Sequence, residues 1–211
     1  HRLAASRAPS LRKVLEDTLR AGVDLLCDHA EGGALVVIAP EANFKRVFAN
    51  LDGAGSPIGR RSRPMLRTCD GGYMTNRLKG LHVSDARLKE AFRDFTAHSS
   101  SDRWPESHPD AEARGQPKDG ALLLDVSGYR LACAVKLTGL VAPANWPRVG
   151  TRHETALACA WAVEGCVVLV RSDSGKIHGL AGSGAGPPRV FSLVPEDGDN
   201  EEVSFVAPMT L

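Results

Sequence analysis

Apolar positions recur along this chain at two different periods, and the changes between them divide it into helices and strands. Leu11, Val14, Leu15, Thr18 and Leu19 fall at helical spacing behind Ser10, which predicts a capped helix running to about Leu26. Gly32-Gly33 interrupts that pattern, and the apolar run over residues 34–39, closed by Pro40, predicts a buried strand. A short helix is expected over 44–51, followed by an irregular loop over 52–72, where Gly, Pro and Arg accumulate. Ser84 is expected to cap a further helix, in which Leu88, Ala91, Phe92 and Phe95 sit at i, i+3, i+4 and i+7. Residues 99–117 are rich in Ser, Asp, Glu and Pro and read as a polar connector.

The second half alternates faster. Residues 120–126 and 129–137 read as strands joined by a tight turn at Ser127-Gly128. A loop holding Pro143 and Pro147 leads to a helix over 151–164 and then to an apolar strand over 166–170. Asp173-Ser174-Gly175 turns the chain, and 176–180 returns antiparallel. Residues 182–188 read as loop, with edge strands over 189–194 and 203–206. The sum predicts a single α/β domain whose mixed central β-sheet is flanked by helices. It would occupy 11–195, connector included, between a basic leader (1–10) and a tail carrying the last edge strand (196–211).

Composition narrows the partners. With 211 residues the chain can bury a sizeable core, and 43% hydrophobic with 24% charged residues is ordinary for a globular domain. A net charge of +1 provides no global field to recruit nucleic acid or an anionic membrane. No apolar run reaches the roughly 18 residues needed to span a bilayer, and no signal-peptide pattern opens the chain. The five cysteines include no C-x-x-C pair, so neither a disulfide framework nor a zinc site is expected, and the compartment reads as reducing and cytoplasmic. A chain opening at His1 without Met reads as trimmed or as part of a longer protein with further domains.

Two segments carry candidate chemistry. Lys118-Asp119-Gly120-Ala121 leads into a strand, and Gly150-Thr151-Arg152-His153 opens a helix. Backbone N–H groups and the positive end of a helix dipole can hold phosphates at such places. Arg152 offers a bidentate fork to phosphate oxygens, and a cation at that helix end is disfavoured unless an anion accompanies it. Thr151 is expected to cap the helix and to reach a phosphate. Asp119 is the candidate carboxylate for a nucleotide's metal. Other motifs fall away. His153-Glu154-Thr155-Ala156-Leu157 lacks the second His of a zinc-protease helix. The glycine run over 182–186 meets Pro187-Pro188 instead of a helix, and Arg60, Arg61, Arg63 and Arg67 read as a solvated loop.

These segments, in this order, resemble the diadenylate cyclase (DAC) domain family, which joins two ATP molecules into cyclic di-AMP. Asp119-Gly120-Ala121 is similar to its Asp-Gly-Ala block, and Gly150-Thr151-Arg152-His153 to its Gly-Thr-Arg-His-Arg block. Residues 170–175 stand where its Val-Ser-Glu-Glu-Thr-Gly turn should lie, and 33–38 resemble its early Gly-Ala-Leu-Ile-Val strand. Residues 83–92 resemble the helix before Asp-Gly-Ala, so the likeness spans roughly 11–182. The resemblance implies catalysis at Asp119 and nucleotide contacts from Gly120, Ala121, Thr151, Arg152, His153, Arg171 and Ser172. It also implies a Mg or Mn ion on Asp119 and Asp173 if the protein is active, and a face-to-face homodimer in which each copy brings one ATP. The chain departs from the family at four places: Lys118 replaces a His, Glu154 an Arg, Ala160-Trp161 a Ser-Glu pair, and Arg171-Ser172-Asp173 the Ser-Glu-Glu. Each lost charged hydrogen bond costs about 1.5–3 kcal/mol, and each 1.36 kcal/mol of barrier is about tenfold in rate. The expectation is therefore a sensor or regulatory module for an adenine nucleotide or cyclic dinucleotide. The alternatives are an active diadenylate cyclase with a rearranged metal site, and an α/β interaction domain without a ligand.

Overall fold

The computed structural model of the protein describes residues 10–30, 32–51, 64–68, 78, 80–96, 120–142, 146–147, 149–182 and 187–193. The leader, the connector over 99–117 and the tail with its expected strand over 203–206 lie outside these residues.

Helix α1 (Leu11–Asp24) starts where the sequence places it, with the Ser10 hydroxyl accepting the Lys13 N–H, and widens into a π-helical turn over Leu25–His29. Strand β1 (Ala34–Ile38) follows Gly32-Gly33, and helix α2 (Glu41–Val47) follows Pro40. This helix begins earlier than the expected 44–51, because Pro40 both ends the strand and caps the helix, where its missing N–H costs nothing. Strand β2 (Met65–Thr68) interrupts the expected loop. Only two apolar residues mark it, and it exists through its partners: the Asn50 side chain donates to the Leu66 C=O (2.7 Å) and accepts its N–H (2.8 Å). Helix α3 (Ala86–Thr96) is capped by Asp85 instead of Ser84, since the Asp85 carboxylate accepts the Arg87 N–H at 2.9 Å. Strands β3 (Ala121–Leu124) and β4 (Arg130–Thr138) form the expected hairpin. Helix α4 (Thr151–Ala162) and strands β5 (Val167–Arg171), β6 (Ile177–Ala181) and β7 (Arg189–Ser192) complete the order.

The seven strands make one sheet in the order β2-β4-β3-β1-β5-β6-β7. Only β1 and β3 run parallel, and every other pair is antiparallel, so the sheet is mixed. Alternation along the central strands assigns the two faces. Leu35, Val37, Ala121, Leu123, Val168 and Val170 join Phe44 and Phe48 at α2 and Ala156, Leu157 and Cys159 of α4. The intervening Val36, Ile38, Leu122, Leu124 and Leu169 pack on Leu15 and Leu19 of α1 and on Leu88, Phe92 and Phe95 of α3. A sheet covered on both faces explains why β1 and β3 read as continuous apolar runs.

The strand pairing carries one irregularity that matters later. Between Ala121↔Val135 and Leu123↔Ala132 the β4 strand holds one extra residue, a β-bulge with Ala134 at φ +53°. Gly120, just before β3, lies against this bulge. Among the described residues Cys27 is exposed, Cys133, Cys159 and Cys166 are buried, and all four are free thiols. No helix among them is long and apolar enough to cross a membrane.

Candidate functional site

A cleft of about 740 Å³ opens on the α4 face of the sheet, a size typical of small-molecule sites. Its walls come from three places. Leu35, Ala121 and Val135 contribute from β1, β3 and β4, residues 149–153 from the start of α4, and 172–174 from the β5–β6 turn. The turn before β3 and the turn before α4, 30 residues apart at Gly120 and Gly150, therefore face one cavity.

The α4 end is open by construction of its backbone. Gly150 is the N-cap, with no side-chain cap hydrogen bond, and a Cβ there would meet nothing within 4 Å. Thr151, expected as the cap, is instead the first helical residue. A glycine in the capping position leaves the first turn accessible to a ligand, while the Gly150 C=O already accepts the His153 N–H at 2.9 Å.

Opposite that end, three segments meet at one carboxylate oxygen. Asp173 Oδ1 accepts the Gly33 N–H at 2.9 Å and an Arg152 Nη1 hydrogen at 3.1 Å. The approach is close enough that only glycine fits at 33. A Cβ there would collide with Arg152 Nη1 and lie 2.6 Å from both Arg152 Cζ and Asp173 Oδ1. One residue back, the Gly32 C=O accepts Arg171 Nη1 at 2.7 Å, so the loop before β1 is held from both sides. Arg171 does this from the other face of the sheet. It follows Val170, which faces α4, and it is absent from the cleft lining.

Beneath the mouth lies a group of three rings. His153 Nε2 and His178 Nδ1 share a hydrogen bond at 3.3 Å, and Trp146 meets both edge-on with centroids 5.1 and 5.4 Å away. His153 is 5% exposed. Burial, the neighbouring His178 and the Arg152 charge together depress its pKa from the ordinary 6.5 to about 4. It is neutral at pH 7, where it orients as a hydrogen-bonding ring instead of acting as a cation. The consequence for stability has a definite sign. The unfolded chain binds this proton more tightly, so the contribution is complete above about pH 6.5 and is lost as the pH falls toward 4. The loss is up to about 3 kcal/mol, from about 1.36 kcal/mol per unit. Urea denaturation at pH 7 and pH 4.5 should show a larger drop in wild type than in His153→Gln. Equal drops would remove His153 as the cause.

The structure thus brings Gly120, Ala121, Thr151, Arg152, His153, Ser172 and Asp173 onto one cleft and sends Arg171 away from it. Asp119, the candidate catalytic and metal-binding residue, lies outside the described residues, as does Lys118. Glu154 is exposed and not part of the lining; Ala160 is a core residue and Trp161 is 47% exposed. Asp173 Oδ1 accepts two N–H donors, one of them from the Arg152 guanidinium. Among the described residues no three His, Cys, Asp or Glu side chains gather where a metal could sit.

Sequence reasoning missed Lys176 and His178 in the cleft lining, Gly33 against Arg152 and Asp173, and Trp146 against the two histidines. Lys176 and His178 alternate on one strand face, a signal that was present, but only pairing with β5 says which face it is. No family model matches the chain, and no curated protein matches it.

Proposed function

We propose that this cleft binds an adenine nucleotide or a cyclic dinucleotide, and that the domain serves as a sensor or regulatory module. One observation carries the reading: Gly120-Ala121 and the Thr151-Arg152 helix start, far apart in sequence, line the same cavity. A polyphosphate there would meet the α4 N-terminus, the Arg152 guanidinium and the Lys176 side of β6. Apolar Leu35, Val135 and Leu137 line the cavity beside them and offer a surface for a base and ribose. The choice of adenine comes from the resemblance to diadenylate cyclase domains.

Binding is favoured over turnover by the Arg152–Asp173 pair. The carboxylate that the resemblance assigns to a metal is engaged with a cation of the protein itself. Thermal shift with ATP, cyclic di-AMP and control nucleotides tests the reading, because a ligand at a hundred times its Kd stabilises by about 2.7 kcal/mol. Absence of a shift with every nucleotide would refute it. Arg152→Ala is expected to weaken binding about 10- to 100-fold by calorimetry, since a charged hydrogen bond is worth about 1.5–3 kcal/mol. Incubation with ATP and Mg or Mn, followed by chromatography, should yield no cyclic dinucleotide. A product peak abolished by Asp119→Asn would make the protein a cyclase instead.

A further inference from the structure

We propose that Asp173 is a built-in competitor for the ligand: its carboxylate occupies, on Arg152 and the Gly33 amide, the position that a phosphoryl oxygen takes when a polyphosphate binds. This inference rests on reading the cleft as a nucleotide site, and it names the residue that sets the site's affinity. Three features of the geometry support it. Asp173 Oδ1 receives one backbone N–H at 2.9 Å and one guanidinium N–H at 3.1 Å, a donor set that serves a phosphoryl oxygen equally well. The contact is built for closeness, because residue 33 must lack a Cβ for the three groups to meet. Asp173 is also open to solvent at the mouth of the site. Its side chain is 59% exposed and stands on the Asp173-Ser174-Gly175 turn, where Gly175 has φ +91°.

The Asp173 end of the pair is solvent-exposed while Arg152 is largely covered, so a multiply charged ligand can replace the carboxylate on an arginine that stays in place. A single phosphate merely exchanges one anion for another on Arg152. A chain of phosphates also reaches the α4 N-terminus and Lys176, and gains where the carboxylate cannot follow. Asp173 therefore lowers the affinity of every anion that must displace it by a similar factor, polyphosphates bind through the further contacts they reach, and the Asp173 turn moves outward when the site fills.

Calorimetric titration of wild type, Asp173→Asn and Arg152→Ala with ATP and with inorganic tripolyphosphate tests this. The amide of Asp173→Asn keeps an oxygen for Gly33 and Arg152 but removes the charge, so it should bind both ligands roughly fivefold more tightly. Inorganic phosphate should gain by a similar factor, and Arg152→Ala should lose affinity for all three. Preference for ATP over tripolyphosphate separates a nucleotide site from a general polyphosphate site, and the competitor role holds under either result. If wild type binds ATP while Asp173→Asn binds it equally or more weakly, the competitor is refuted and the nucleotide reading survives. If wild type and Asp173→Asn both fail to bind ATP and tripolyphosphate, the nucleotide reading falls and the competitor with it. A melting temperature of Asp173→Asn close to wild type establishes that the variant is folded.

Discussion

Gly33→Ala should cost the protein its ligand while leaving its fold in place. The added methyl would coincide with the Arg152 guanidinium and press on Asp173 Oδ1 at 2.6 Å. Both atoms end flexible side chains, so they can swing aside at little cost to the backbone. The position where they met is then filled by the methyl itself. Arg152 loses its place beside the Gly33 amide, and the methyl obstructs an incoming phosphate's approach to the guanidinium and to the amide, which itself remains. Displacing the guanidinium and obstructing the residue-33 amide together should weaken nucleotide binding at least as much as Arg152→Ala, about 100-fold. The melting temperature should fall by only a few degrees. Calorimetry with ATP and a thermal melt check the two halves separately. Unchanged affinity in the folded variant would place the ligand elsewhere.

Gly120→Ala should do the reverse and act first on stability. Gly120 has φ +142°, which side-chain-bearing residues rarely adopt, and a Cβ there would lie 2.9 Å from both the N and the O of Val135. Those atoms are backbone, fixed by the pairing of Ala121 with Val135 beside the bulge, and cannot rotate away. Strain in φ of about 1–3 kcal/mol adds to a clash of similar size, for a total of about 2–6 kcal/mol. In a chain of this length that lowers the melting temperature by roughly 5–15 °C. A melt within a degree of wild type would show that the strand start relaxes freely. The two glycines thus serve one cleft differently: one makes room for side chains, the other for a bulged strand.

Much of the fold was legible in the order of residues. Ser10 before a helical run, Gly-Gly before five apolar residues, and Ser-Gly between two strand-forming runs each report a local preference that the tertiary structure keeps. The errors fell where local preference is weak. Strand β2 has too few apolar residues to announce itself and depends on pairing with β4 and on Asn50. Asp85 outcompeted Ser84 as a cap because the Ser84 hydroxyl is engaged with His82 at 2.7 Å. Pro40, read as the end of a strand, also begins a helix.

The site was legible in its pieces. Residue types at Gly120-Ala121 and Thr151-Arg152-His153 pointed to phosphate chemistry through glycine's close approach and arginine's fork. What the sequence by itself determined was most of the elements and the inward faces of the helices, because helical periodicity and turn chemistry are properties of neighbouring residues. Only the tertiary structure decided that β1 and β3 run parallel, that Gly33 opposes Arg152, that Asp173 caps that arginine, and that Arg171 turns to the opposite face. These depend on strand order and register. A shift of one residue in a strand exchanges its faces, and contacts across 140 positions of chain leave no periodic trace in the residues between them.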